Sequence, residues 1–409
     1  MLSIPISLGT SIILARVLGP EAFGRYAFVM ALAPLISLLM AGGLRQLLMR
    51  EVAAYAHGGR WSLYRGAVRS AHLWVLGTSL LLLSLYWLVA GPLGLLPSQG
   101  KWAHLSIAIW IVPLAALAAV RTGTVKGLGM PAYAELPAQL IQPLLALLML
   151  GALAYFQRLD EEAALWSQVA AACLGFLVAS WMFLKVQPCE ARSEPPRYQW
   201  RAWVTSLLPF TLLVLVSTFN AQLGILVLGV LGSDDQIAAM RVAEKGGQLV
   251  ALSLTLVNLV IAPYIVRAHR DGDREKLQAL ARQSARGSLA LALPVAVIFI
   301  VFGEWLIALV FGEEYSGIAY WPLVILCCGQ LANVFFGSVG YFLSMSGHER
   351  DLVKAQLVAI ACNIVLCLVL VPWLGAVGAA LGVSVGLITW NLILTWRVSQ
   401  RLGIRTMAF

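Results

Sequence analysis

The amino-acid sequence predicts an all-α polytopic membrane protein. It would have twelve transmembrane helices in two six-helix lobes, related by a pseudo-twofold axis along the membrane normal. Three observations lead there. The first is composition: of 409 residues, 60% are hydrophobic and only 11% are charged, with a mean hydropathy of +0.85, against about 25% charge in a soluble chain of this size. The second is the number of apolar runs near the roughly 20 residues that cross a bilayer. Twelve are found, at about 2–18, 26–48, 70–91, 103–121, 134–156, 163–185, 203–231, 240–266, 287–311, 319–344, 354–372 and 375–396. The third is charge asymmetry: 22 of the 28 Lys and Arg residues fall in one alternating set of loops.

Taken in order, segment 1 is short and ends at Arg16, and its start, MLSIPISLG, has no basic region, so no cleavable signal is expected. The basic loops hold Arg45 to Arg69, Arg121 and Lys126, Lys185 to Arg201, Arg267 to Arg286, Arg350 and Lys354, and Arg397 to Arg405. The alternate loops hold Arg16, Arg25, Lys101 and Arg158, with Arg241 and Lys245 just inside segment 8, and the acidic stretches 159–163, 232–235 and 311–315. Positive loops stay inside, so both termini are expected in the cytoplasm. An odd number of spans would break the alternation. Trp61, Trp102, Trp200, Trp203, Trp305, Trp321, Trp373 and Trp396 cluster near span ends as an aromatic belt. Pro34, Pro113, Pro209, Pro263 and Pro294 lie within spans and can seed kinks. Gly378, Gly382 and Gly386 repeat every fourth residue of segment 12, as close helix packing requires.

No loop is long enough for a soluble domain. The stretch 186–202, with Pro195–Pro196, is the natural linker between lobes at 1–185 and 203–409. The basic stretch 267–286 has two readings, a short amphipathic surface helix or a solvated loop, and the loop is the expected one. Two local matches suggest internal duplication. ILARVLGPEAFG (13–24) and ILVLGVLGSDDQ (225–236) share VLG at an offset of 213, and Gly129 aligns with Gly347 at 218. Six spans per half give both lobes one orientation, with a substrate path at their interface.

The net charge of +9 does not imply nucleic acid, because the basic residues lie in loops on one side. No nucleotide-binding P-loop and no hydrolase or metalloprotease motif occurs. Cys173, Cys189, Cys327, Cys328, Cys362 and Cys367 lack metal-ligand spacing and are read as packing residues. His57, His72, His104, His269 and His348 lie in loops or near span ends. No catalytic residue, metal or cofactor is expected. The intramembrane polar residues are Asn220, Gln222, Arg241, Glu244, Lys245, Gln248 and Asn258, with Arg45, Gln139 and Gln142 in the first half.

Four of them form a stripe. Over Met240–Asn258, Arg241, Glu244, Lys245 and Gln248, with Thr255, fall within about a 100° sector of one helix. A central charge in lipid costs roughly 2.5–3.5 kcal/mol, so such a stripe faces protein or water. Two readings follow: a transport path, or a helix end whose charges pair at the headgroups. Topology sets the stripe in the outer part of segment 8, and the path is the reading adopted. An excess of Arg and Lys suits an anionic ligand such as a phosphate. Glu244 either exchanges a proton or cation during a cycle or neutralises its neighbours.

The chain resembles the polysaccharide-transporter branch of the multidrug/oligosaccharidyl-lipid/polysaccharide flippase superfamily. The stretches that carry the resemblance are IILARVLGPEAFGRYAF (12–28), GGLRQLLMREVA (42–53), IAPYIVRAHRDGDREKLQAL (261–280), 310–350 and LVPWLGAVGAALGVSVG (370–386). Together they run over essentially the whole chain. The resemblance implies a central cationic cavity and alternating access that carries a polyprenyl-pyrophosphate-linked oligosaccharide outward across a bacterial inner membrane. Arg45, in GLRQLLMRE, occupies the family's basic position. The expected cavity residues are therefore Arg241, Lys245, Gln248, Arg45 and Asn220, with Glu244 as coupling candidate. Membrane lipids, a polymerase, glycosyltransferases and a proton or sodium gradient are the implied partners. Two departures stand out: the family has a longer first segment, so this N-terminus is read as truncated or misassigned, and an acidic residue common early in segment 7 is Asn220 here. The rival readings are a cation-coupled drug exporter, which favours an acidic cavity, and a membrane-embedded glycan polymerase or acyltransferase. The latter needs a sizeable outer loop or an intramembrane acid/base pair, and neither is seen.

Overall fold

The computed structural model describes residues 3–90, 100–404 and 406–407, and among these there is no strand. Arg405, counted above with the C-terminal basic residues, lies outside them. The principal helices are α1 (Ser3–Ala41), α2 (Leu44–His57), α3 (Trp61–Ala90), α4 (Ile111–Gly127), α5 (Pro131–Tyr155) and α6 (Glu161–Val186). They continue as α7 (Trp200–Leu231), α8 (Asp234–Arg270), α9 (Arg274–Phe311), α10 (Glu313–Phe336), α11 (Glu349–Leu374) and α12 (Ala376–Leu402). The protein is an all-α polytopic membrane protein.

Among the described residues, ten helices are long and apolar enough to cross a bilayer. The bent pair Gly100–Ala108 and Ile111–Gly127, angled by 44°, brings the number to eleven. The twelfth comes from α1, whose Gly19 has φ 76° and ψ 174° and splits it into two arms. Glycine tolerates that φ, and Pro20 then opens the second arm, where its missing N–H costs nothing. Segments 1 and 2 of the sequence are these arms. The second arm stops earlier than the apolar run suggests. Gly42 (φ 37°) turns the chain after Ala41, and the remainder continues as the separate 14-residue helix α2. Segment 10 is interrupted in the same manner at Gly337 (φ 75°), after which Val339–Met345 forms a short helix.

The loop expected at 267–286 is instead helical from Arg274. Asp273 caps α9 by accepting the Lys276 N–H at 2.9 Å, and the helix runs unbroken to Phe311. The residue types explain the outcome: a good cap is followed by REKLQALARQSAR, which contains no helix breaker. Pro113 sits in the first turn of α4 and breaks no hydrogen bond, whereas Pro34, Pro209, Pro263 and Pro294 lie inside helices.

The chain divides into two compact units, one ending at Phe219 and the other beginning at Asn220, so the division falls within α7. The stretch 186–202 is fastened to the first unit. Arg197 N–H donates to the Ser62 carbonyl at 2.9 Å, and Arg65 Nη1 donates to the carbonyls of Arg192 and Glu194 at 2.9 and 2.8 Å. Each unit repeats one pairing pattern. In the first, α2 packs on α3 and α4, α3 on α4, α4 on α6 and α5 on α6; in the second, the same pairs recur six helices on, as α8 with α9 and α10, α9 with α10, α10 with α12 and α11 with α12. Gly129 and Gly347, aligned by sequence, both adopt left-handed backbone, at φ 85° and 79°. The internal duplication is therefore architectural as well as local.

Candidate functional site

Each unit contains a cavity. In the second unit a cavity of about 480 Å³ is bounded by α7, α8, α10, α11 and α12. Asn220, Arg241, Glu244 and Gln248, all expected from sequence, line it. They meet because Arg241, Glu244 and Gln248 share one face of α8, while Asn220 is in the second half of α7. The start of α8 is fixed by a capping box between Ser233 and Gln236, which sets the rotation of the first turns and hence of this stripe. Arg241 Nη1 donates to Glu244 Oε2 at 3.1 Å, and both side chains are mostly buried. Lys245 is half-buried on the same helix and is not among the residues that border the cavity.

Sequence reasoning missed much of the wall. Gln330 of α10, Gln356 and Asn363 of α11 and Trp390 of α12 complete it, with Gly247 and Gly386. Asn363 Nδ2 reaches toward Asn220 Oδ1 at 3.5 Å, and Cys367 Sγ donates to Asn363 Oδ1 at 3.2 Å. The expected packing role of Gly378, Gly382 and Gly386 holds: an added Cβ would lie 2.5 Å from Leu370 O, 2.5 Å from Cys367 Sγ and 3.0 Å from Asn363 Cβ respectively. Gly386 thus serves both the α11–α12 contact and the cavity wall.

Arg45 lies in the first unit. It borders a cavity of about 380 Å³ formed by the second arm of α1, Gly42, α2, α4 and Val214 of α7. Its Nη2 is ion-paired with Glu135 Oε1, and Lys126 Nζ is ion-paired with the same oxygen. Glu135 Oε2 is buried with no hydrogen-bond partner among the described residues. Neither Glu135 nor Lys126 was singled out in the sequence. The available signal was a carboxylate next to a basic inner end, nine residues after a lysine across a tight turn at Gly129. Two glycines hold Arg45 there: a Cβ at Gly123 would lie 2.5 Å from the Arg45 carbonyl oxygen, and one at Gly127 would lie 2.7 Å from Val52 Cβ. Only a bare backbone lets α2 and α4 approach so closely. Just beyond Glu135, α5 widens into a π-turn at Pro137–Ile141 that contains Gln139, a feature often found at functional sites.

The repeated helical frame has counterparts among solved structures. It matches an inward-facing multidrug resistance MATE family transporter of the MOP superfamily at a TM-score of 0.79 and 13% identity, over 98% of this chain and 94% of that one. It matches the lipid II flippase MurJ, in an inward closed conformation, at 0.76 and 14%, over 97% and 86%. At these identities the likeness shows the twelve-helix, two-lobe fold alone.

The chain belongs to the polysaccharide biosynthesis protein family, which matches residues 1–269. A relative in Haloferax volcanii, named "Probable low-salt glycan biosynthesis flippase Agl15", is 23% identical over 166 residues, which are 41% of this chain. The match spans 35% of that relative's length.

Proposed function

We propose that this protein is a flippase for a polyprenyl-diphosphate-linked oligosaccharide, moving it from the cytoplasmic to the outer leaflet during O-antigen, exopolysaccharide or capsule synthesis. The carrying observation is that a chain of the polysaccharide biosynthesis family holds, within its apolar helices, cavities lined by Arg45 and by Arg241 with amides. Ionisable groups at such positions mark a substrate path by default. In this reading Arg45, Arg241 and Lys245 meet the diphosphate, and Gln248 and Asn220 contact the rest of the headgroup. Glu244, paired with Arg241, is the group that exchanges a proton or sodium ion as the lobes, joined by linker 186–202, alternate their access. The likeness to Agl15 supports a glycan-bearing lipid over a drug. The protein would act in an inner membrane with both termini cytoplasmic, beside glycosyltransferases and a polymerase.

The test is reconstitution into liposomes with labelled lipid-linked oligosaccharide, with and without a proton or sodium gradient. Transport above that of protein-free vesicles is expected, reduced about tenfold or more by Arg241→Ala or Lys245→Ala, since a lost charge-assisted hydrogen bond is worth roughly 1.5–3 kcal/mol. Normal transport by both single variants and by the double would overturn the cavity assignment.

A further inference from the structure

The cavity of the second unit is unusual in what its wall is made of. Among the described residues, its only charged lining residues are Arg241 and Glu244, and these pair with each other at 3.1 Å. Six amides surround them: Asn220, Gln222, Gln248, Gln330, Gln356 and Asn363. The one aromatic ring among the described residues that line it is that of Trp390. Amides in an apolar membrane segment are costly unless they bridge helices or meet a ligand.

Some of these amides are already committed, and the commitment is informative. Asn391 Nδ2 donates to Leu387 O and to Asn333 Oδ1, each at 2.9 Å, and Asn333 Nδ2 donates to Gln330 Oε1 at 3.2 Å. This relay of amides, anchored on the buried Asn391, occupies the acceptor of Gln330 and fixes its orientation, leaving its two N–H donors at the cavity wall. Gln222 presents the complement. Its Oε1 is buried and has no hydrogen-bond partner among the described residues, so it is an acceptor waiting for a donor. Donors and acceptors set side by side on planar groups, with one flat apolar face, match a sugar ring. Each hydroxyl both donates and accepts, and the C–H face of a pyranose lies against an aromatic ring. The volume, about 480 Å³, falls within the roughly 300–1,000 Å³ of sites that enclose an organic ligand of moderate size.

The same wall argues against other occupants. Arg241, the one cation lining it among the described residues, has its carboxylate beside it and holds a diphosphate only together with cations outside the wall, so the amides are left to another group. A cationic drug needs a carboxylate, and Glu244 is engaged by Arg241. We propose that this cavity binds the sugar portion of the transported lipid and selects uncharged pyranose units, with Gln330, Gln222 and Trp390 as its reading residues. The proposal rests on the flippase reading above and deepens it.

The experiment is calorimetric titration of the purified full-length protein in nanodiscs. The probes are a polyprenyl diphosphate without sugar, the same lipid bearing each of a panel of neutral hexose and N-acetylhexosamine disaccharides, and one bearing a uronic acid disaccharide. At least one neutral disaccharide should tighten binding about tenfold or more over the sugarless lipid, as a few well-made hydrogen bonds and one stacked ring would. Gln330→Leu and Trp390→Leu should each abolish most of that gain while changing the affinity for the sugarless lipid by no more than about twofold, and Trp390→Phe, which keeps a ring, should retain part of it. A gain that is the same in wild type and both leucine variants, one largest for the uronic acid, or none for any neutral sugar while the sugarless lipid still binds, would overturn this inference alone. Failure of the wild type to bind any probe would overturn the flippase reading together with it.

Discussion

Glu135 is the residue on which most depends in the first unit. One of its oxygens takes both Arg45 and Lys126, while the other is buried without a partner among the described residues. Replacing it by Gln leaves two cations facing each other beside an apolar cavity. Breaking a fully buried pair costs roughly 3–5 kcal/mol. Arg45 and Glu135 are partly exposed, with side chains at 41% and 26%, so about 1–2 kcal/mol is expected after allowance for solvent screening. The variant Glu135→Gln should therefore lower the melting temperature in detergent by a few degrees. Glu21→Gln should not, because Glu21 is exposed and meets Arg25 only at 3.8 Å. Pairing Glu135→Gln with Arg45→Met should recover part of the loss, since that removes one of the unpaired charges. An equal melting temperature for wild type and Glu135→Gln would refute a structural ion triad.

At the scale of the helix, close approach matters more than apolar area. The carbonyl of Arg45 and the side chain of Val52 occupy space that a Cβ at Gly123 or Gly127 would need. Gly123→Ala should cost roughly 1–3 kcal/mol, because the atom in the way is backbone and cannot rotate aside. Gly287→Ala on α9 meets nothing within 4 Å and should be neutral or stabilising by up to about 1 kcal/mol through helix propensity. Thermal unfolding of the two variants side by side checks both, and equal melting temperatures would contradict the packing described. The same scale shows what the sequence could and could not say. Twelve apolar segments were legible because hydropathy and the Lys/Arg alternation are averages over many residues. The interruptions at Gly42 and Gly337 were not, because glycine is neutral in hydropathy and a positive φ there depends on local geometry. The long start of α9 was misjudged because its charge suggested solvent, whereas its cap and propensity decide the backbone.

At the scale of the molecule, the Arg241–Glu244–Gln248 stripe was legible from one helix because three of its members share a face. The rest of the cavity was not: Gln330, Gln356, Asn363 and Trp390 sit on three other helices, and only tertiary packing brings them to the same wall. The orientation proposed from charge is one that a native side chain can report. Cys189 is exposed in the stretch 186–202. An impermeant maleimide should reach it only after the membrane is permeabilised, whereas Arg158→Cys in the acidic loop should react in intact spheroplasts. The reverse pattern would invert the proposed topology. The hairpin of α8 and α9 carries a related consequence. These helices have 37 and 38 residues, about 55–57 Å at 1.5 Å per residue, against a bilayer of roughly 40–45 Å including headgroups. Their joined ends carry Arg267, Arg270, Arg274 and Lys276. In the proposed orientation these residues stand at or just past the anionic leaflet, where each basic group gains on the order of 1 kcal/mol. The depth and tilt of the second unit are then set partly by the lipid, so that a change in anionic lipid content acts on this protein as a ligand would.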